Sequence, residues 1–176
     1  TFNDLYWNPG GNTSIIPETS HQAEVSHDFA YAKWKLSFTT FYNKIDDLIL
    51  WKPSASNWAA INVEDVISYG FESSIKYATN LKGVNVGIEA QFSYTNSEDQ
   101  LSKKQLSYTP KTKALLEISL GYKAFLVQIN GRYIDEVYTR TDNNSRYNLP
   151  SYQLLDCSVT YKIPSVKSLS IGGNVS

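Results

Sequence analysis

His21 and His27 are the residues in this 176-residue chain best suited to acid–base chemistry or metal binding, and their spacing defeats both. On one extended strand, six residues at about 3.3 Å each put them roughly 20 Å apart, too far to share a metal. Ser26 and Asp28 flank His27, but strand neighbours point to opposite faces and cannot form a relay. The acidic pairs Asp46-Asp47 and Glu64-Asp65 could hold a cation. They lack the alternating oxygen ligands of a calcium loop and read as solvated loop charge. Lys103, Lys104 and Lys111 with Tyr108 in one polar stretch, and Arg140 and Arg146 with Tyr147 in another, could draw in an anionic ligand and stack on it. Trp51 and Trp58 stand in a third such stretch. Ligand binding at Trp51, Trp58, Tyr108, Tyr147, Arg140 and Arg146 is therefore the chemistry within reach, with ordinary solvated loops as the competing reading. No residues can be nominated for catalysis, a metal centre or a bound cofactor.

The elements that must position these residues are strands. Apolar and polar residues alternate with period two in eight segments, and helical spacing is hard to find. The segments are His21 to Tyr31, Trp34 to Tyr42, Ser68 to Tyr77, Val84 to Thr95, Lys113 to Tyr122, Phe125 to Tyr133, Leu155 to Tyr161 and Leu169 to Val175. Short joints at Ala32-Lys33, Ala78 to Gly83, Lys123-Ala124 and Ile163 to Lys167 alternate with long ones at Lys52 to Asp65, Asn96 to Lys111 and Thr139 to Ser151. Five of six prolines fall in the long segments, where they take no donor from a ladder. The simplest architecture is an antiparallel up-and-down meander, turning tightly at one end and looping widely at the other.

Tyr31, Trp34, Tyr77, Tyr122, Phe125 and Tyr161 lie near the short joints on the apolar parity. Tyr42, Tyr69, Tyr94 and Tyr133 lie on the same parity about ten residues away. Ten residues tilted by about 45° span about 23 Å, the height of an outer-membrane barrel's apolar band between its aromatic girdles. Glu24, Glu72, Glu89, Glu117, Arg132 and Asp156 fall on the opposite face and are expected in a wet lumen. A soluble lipocalin-like barrel or sandwich would also alternate, with its apolar face turned inward.

Composition agrees with a barrel wall. Sixteen Lys+Arg against 17 Asp+Glu leave a net charge of -1, which argues against a nucleic-acid partner. No apolar run exceeds about four residues, so neither a spanning helix nor a signal-peptide core is present. A spanning barrel escapes that test because its strands alternate. Cys157 is alone, so no intrachain disulfide forms. The chain has no methionine and opens in a polar, aromatic-rich stretch, which reads as a piece of a longer protein.

Several segments carry a resemblance. Phe2-Asn3-Asp4-Leu5-Tyr6, then Asn8-Pro9-Gly10-Gly11-Asn12 and Ile16-Pro17-Glu18, resembles the "eLY...gNPnLkPE" loop of TonB-dependent outer-membrane receptors. Phe41 to Ile49 resembles their "fyn.i.dlI" strand end. Asn62-Val63 with Tyr69-Gly70-Phe71-Glu72 resembles "N...yGvE", and Leu149-Pro150-Ser151-Tyr152 with Leu155-Asp156 resembles "lPsY.llD". The resemblance implies an outer-membrane barrel of a Gram-negative bacterium with about 22 strands and a plugged lumen, in which residues 1–176 would be a C-terminal section holding strands 14 to 21. Long loops would be extracellular and short turns periplasmic. Plug, TonB box and terminal aromatic strand are not in these residues. The implied partners are outer-membrane lipid, a nutrient ligand such as a ferric siderophore or cobalamin, and TonB acting through the plug region. The expected role is receptor and transporter, not enzyme. A self-contained eight-stranded barrel with a structural or adhesion role is the alternative, and pairing of the first strand with the last would distinguish it.

Overall fold

The computed structural model describes residues 1–54, 57–63, 65–164 and 169–175. In chain order its strands are β1 (Thr19–Tyr31), β2 (Trp34–Asp46), β3 (Ile49–Pro53), β4 (Trp58–Asn62), β5 (Val66–Leu81), β6 (Val84–Asp99), β7 (Thr112–Tyr122), β8 (Phe125–Ile134), β9 (Tyr152–Lys162) and β10 (Ser170–Val175). A five-residue helix, α1 (Phe2–Tyr6), precedes them, and a short 3-10 turn covers Ser145–Tyr147.

Eight strands form one antiparallel sheet in the order β1-β2-β5-β6-β7-β8-β9-β10, and β3 and β4 pair separately. The eight are the eight that alternation marks out, most of them longer than expected. β5 continues through Ala78 to Leu81, so the second short joint is only Lys82-Gly83. Both residues have positive φ, the mark of a tight I′ hairpin turn whose twist matches its strands. Asn80 fixes the turn by accepting the Gly83 N–H at 3.0 Å.

Register keeps parity across the whole sheet. The row Phe38, Ser73, Phe92, Ala114, Tyr133 crosses from β2 to β8 on one face, and so does Leu36, Ile75, Ala90, Leu116, Gly131. A one-residue slip in any pair would break these rows, so the apolar pattern itself holds the register. Glu72, Glu89, Glu117, Arg132 and Asp156 fall on the other face, as does Glu24 opposite Phe41.

The apolar face is uncovered. Val25 is 72% exposed and Leu155 69%, and among the described residues the buried apolar ones are only Ala60, Val63 and Val66, from β4 to the start of β5. A soluble reading needs that face folded into a core, and no such core is built. Rings do gather at its two ends. Trp34 stacks on Tyr77 at 4.4 Å and Phe125 on Tyr161 at 4.8 Å near the short turns. Phe71 lies 5.7 Å from Phe38 and 6.0 Å from Tyr94 towards the loops. Trp34 to Tyr42, and Phe125 to Tyr133, mark the girdles about eight residues apart rather than ten. Tilted, that is about 19 Å; Tyr94, ten residues from Val84 in the Tyr122 row, extends the span to about 23 Å.

β1 and β10 lie at opposite edges of the sheet and are not paired with each other among the described residues. The eight strands therefore do not close, which excludes the self-contained small barrel. The first long joint is also not plain loop. Ile49–Pro53 and Trp58–Asn62 form a hairpin, with Pro53 opposite Trp58 at its end, where a missing N–H is tolerated.

Candidate functional site

Two loop clusters and the polar face of the sheet can meet a ligand. The first cluster joins residues 1–18 to the β3–β4 hairpin. Asn62 does most of the joining: its Oδ1 accepts the Ile16 N–H at 2.9 Å, and its Nδ2 donates to the carbonyls of Ile16 at 3.0 Å and Asp47 at 2.6 Å. The Ala60 N–H donates to the Gly10 carbonyl at 2.9 Å, and Asn12 Nδ2 to the Ala60 carbonyl at 3.1 Å. Gly10 is required there, because a Cβ would stand 2.0 Å from the Trp58 carbonyl oxygen and 2.5 Å from the Trp51 ring.

This packing separates the two tryptophans. Trp51 is half-buried beside Gly10, and its indole N–H donates to Asp4 Oδ1 at 2.9 Å. Trp58 is 52% exposed. The hairpin register puts both on one face, since Trp51 pairs with Ala60 and Trp58 with Pro53, and it is Asp4 and Gly10 packing on Trp51 that set their surroundings apart.

The second cluster joins the loop after β6 to the loop after β8. Asn143, at φ 52°, accepts the Gln105 N–H at 2.8 Å and donates to the Gln105 carbonyl at 2.9 Å, pairing with that backbone as a strand neighbour would. The Tyr108 N–H donates to the Tyr138 carbonyl at 2.8 Å. Tyr108 is 62% exposed. Arg140 stacks on Tyr147 with 5.0 Å from guanidinium carbon to ring centroid, and its Nε lies 3.4 Å from Asp142. The structure thus brings Arg140 and Tyr147 together, ties their loop to that of Tyr108, and leaves Arg146 exposed on the 3-10 turn. Their basic character is offset locally, because Glu98 and Asp99 end β6 at the foot of one loop and Asp142 lies in the other.

Two of the acidic residues flanking the first loop, Asp46 and Asp65, are ion-paired rather than poised for a metal. Asp46 and Asp65 take Lys44 at 2.6 and 3.0 Å. That ammonium holds the Asp46 carboxyl below its ordinary range, and Asp46 first, then Asp65, raises Lys44 above its own. Glu64 lies outside the described residues. Among those described, no three His, Cys, Asp or Glu side chains converge as a metal site. His21 and His27 lie on one parity of β1, opposite Lys44 and Phe38.

The polar face carries a cleft of about 470 Å³, lined by residues that include Glu72, Gln91, Ser93, Lys113, Leu115 and Arg132. Beside it Lys76 and Glu89 pair at 2.7 Å, and Gln91 donates to Glu89 at 2.8 Å. A wall of this kind can seat a polar, folded segment or a hydrated solute.

Residues 1–176 match the family model described as TonB dependent receptor-like, beta-barrel. The chain belongs to that family. The TonB-dependent receptor resemblance and the all-β barrel-wall architecture read from the sequence both hold. The chain is 29% identical over 180 residues to the vitamin B12 transporter BtuB of Photobacterium profundum, covering 99% of this chain and 28% of that protein. It is 26% identical to the BtuB of Vibrio vulnificus, covering 27% of it. The chain therefore spans little more than a quarter of the curated relatives it matches. Among solved structures it superposes on the copper transporter OprC with TM-score 0.74 at 16% identity, covering 92% of this chain and 25% of that one. It superposes equally well on the ferric enterobactin receptor PfeA of Pseudomonas aeruginosa, at 18% identity, covering 93% of this chain and 26% of the other. Those likenesses establish the fold. In a TonB-dependent receptor barrel the uncovered apolar face is the outer wall and the polar face looks into the lumen. The family is one of receptors and not of enzymes.

Of the pinning asparagines, Asn12 and Asn62 stand in the segments that carry the family resemblance, with no structural role legible there, and Asn143 in none. A further trace is their position: each lies in or beside a long polar segment, where an amide can replace a backbone partner.

Proposed function

We propose that this chain is a C-terminal section of the barrel of a TonB-dependent receptor in the outer membrane of a Gram-negative bacterium, and that the receptor takes up a scarce nutrient of the cobalamin or ferric-siderophore class. The observation that carries this reading is the likeness, along 99% of this chain, to a section of vitamin B12 transporters. The apolar face would lie against outer-membrane lipid, the long loops outside the cell and the short turns in the periplasm. Energy would come from TonB through a plug segment beyond these residues, seated against the polar face.

In this reading the ligand meets the loop clusters first. Trp58, Tyr108, Tyr147 and Arg140 present exposed rings and a stacked cation, with Arg146 beside them. Trp51 serves the loop's own packing more than a ligand. The test is titration of the full-length receptor with cyanocobalamin and, separately, with ferric siderophores, coupled to uptake in cells with and without TonB. Saturable binding of one of them and TonB-dependent uptake are expected. Uptake that persists without TonB, or binding of neither class, would refute the proposal.

A further inference from the structure

We propose that the short-turn rim is a docking surface for an anionic phospholipid, whose headgroup phosphate is held between Lys82 and Lys123 with Lys33 beside them. The proposal rests on the lipid-facing reading of the apolar face.

The two-residue turns at this end, Ala32-Lys33, Lys82-Gly83 and Lys123-Ala124, each carry an exposed lysine and no acidic residue. Contacts show where two of the ammonium groups lie. Lys123 Nζ sits 5.1 Å from the centroid of the Tyr122 ring, and Lys33 Nζ donates to the Thr79 hydroxyl. Tyr122 is opposite Val84 and Phe125, and Thr79 is opposite Val86. Both belong to the apolar rows, so both cations bend back onto the lipid side of the wall and away from the lumen. Lysine stems do this where hydrocarbon gives way to headgroups, keeping methylenes in the apolar layer and the charge at its border.

Lys82 stands on the adjoining turn, between β5 and β6. Its turn is level with Lys123, since Val84 pairs with Tyr122, and a side chain on Gly83 would begin 4.0 Å from the Tyr122 ring edge. Two strand spacings of about 4.8 Å separate the turns, so the Lys82 and Lys123 stems start roughly 10 Å apart and can close on one phosphate. The ring between them would carry the glycerol and upper acyl region.

At the opposite rim Lys44, on the apolar parity beyond the loop-side rings, is already neutralised by Asp46 and Asp65. Among the described residues Lys33, Lys82 and Lys123 have no such ion pair. A zwitterionic headgroup carries its own ammonium to compete with these lysines, whereas an anionic one leaves them a net charge to neutralise.

The experiment uses the full-length receptor in nanodiscs of mixed phosphatidylethanolamine and phosphatidylglycerol. The receptor is then extracted gently, and the co-purifying lipid is identified by mass spectrometry. The native protein is expected to retain phosphatidylglycerol above its bulk proportion, with the preference falling about fivefold for each of K33Q, K82Q and K123Q and weakening in high salt. Lys35→Gln, at the same end but on lumen parity, is expected to leave it unchanged. Retention at the bulk ratio, or a preference that survives the triple substitution, overturns the proposal while the barrel reading stands. Failure of the receptor to insert into either lipid overturns both.

Discussion

Leu115 and Leu116 are consecutive leucines on β7 that face opposite sides of the wall, so replacing each by arginine makes one chemical change in two solvents. Leu116 is 43% exposed in an apolar row between Ala90 and Gly131. It lies six residues from Tyr122, the ring that ends the strand. Six residues at about 3.3 Å, tilted by about 45°, place it roughly 14 Å above Tyr122, and the Tyr94 row opposite Thr112 lies about 9 Å further on, so Leu116 sits near the middle of the band between those rings. An arginine there costs about 2–4 kcal/mol, a factor of about 30 to 1,000 in the folding equilibrium. Leu115 lines the lumen cleft opposite Gln91 and Arg132. Arginine there meets like charge across the ladder, which costs up to about 1 kcal/mol. At Tyr122, level with the headgroups, the cost should fall to about 0–1 kcal/mol. Guanidinium titration of the full-length receptor in vesicles, followed by tryptophan fluorescence, measures all three. The expected order is Leu116→Arg far above Leu115→Arg and Tyr122→Arg. Equal costs at 115 and 116, or no decline from Leu116 to Tyr122, would refute the reasoning.

Asn143→Gly keeps the positive φ but removes both bonds to Gln105, so the two loops should separate, with a loss of about 1–3 kcal/mol and faster hydrogen exchange at the Gln105 amide. Asn62→Ala should release residues 9–18 from the β3–β4 hairpin and make them the first site of limited proteolysis, leaving the eight-stranded sheet intact. The Lys44 cluster gives a pH dependence at the loop end of β2. Asp46 is depressed in the folded state, so its contribution is present above about pH 4 and is lost as the pH falls through its lowered value. Hydrogen exchange at Thr19, opposite Asp46, should rise on acidification, and Asp46→Asn should abolish that change.

The wall was legible because lipid and lumen impose opposite demands on alternate residues, and eight strands repeat the contrast. Val84 to Thr95 states it most cleanly, and β6 was recovered there with four further residues. Strand ends were less legible, since beyond the girdles both faces are wet and alternation stops. Ala78 to Leu81 and Asn96 to Asp99 look like joints for that reason. The β3–β4 hairpin escaped because Ile49–Pro53 and Trp58–Asn62 are short, unalternating and punctuated by a proline. The candidate site was legible only as residue types. Arg140 and Tyr147, seven residues apart, do meet, but Trp51 is drawn to Asp4 by a contact between residues 47 apart in the chain, across β1 and β2, which no local pattern encodes.

The central claim is that one face of this sheet meets lipid and the other the lumen, and spin-label accessibility along β7 tests it most directly. After Cys157, which lies on the lipid parity opposite Ile129, is replaced by serine, single labels at positions 113 to 121 of the full-length receptor in bilayers would be read against oxygen and a water-soluble nickel complex. Oxygen should dominate at 114, 116, 118 and 120 and fall at 113, 115, 117, 119 and 121. Loss of the two-residue period, or the opposite phase, would contradict the account.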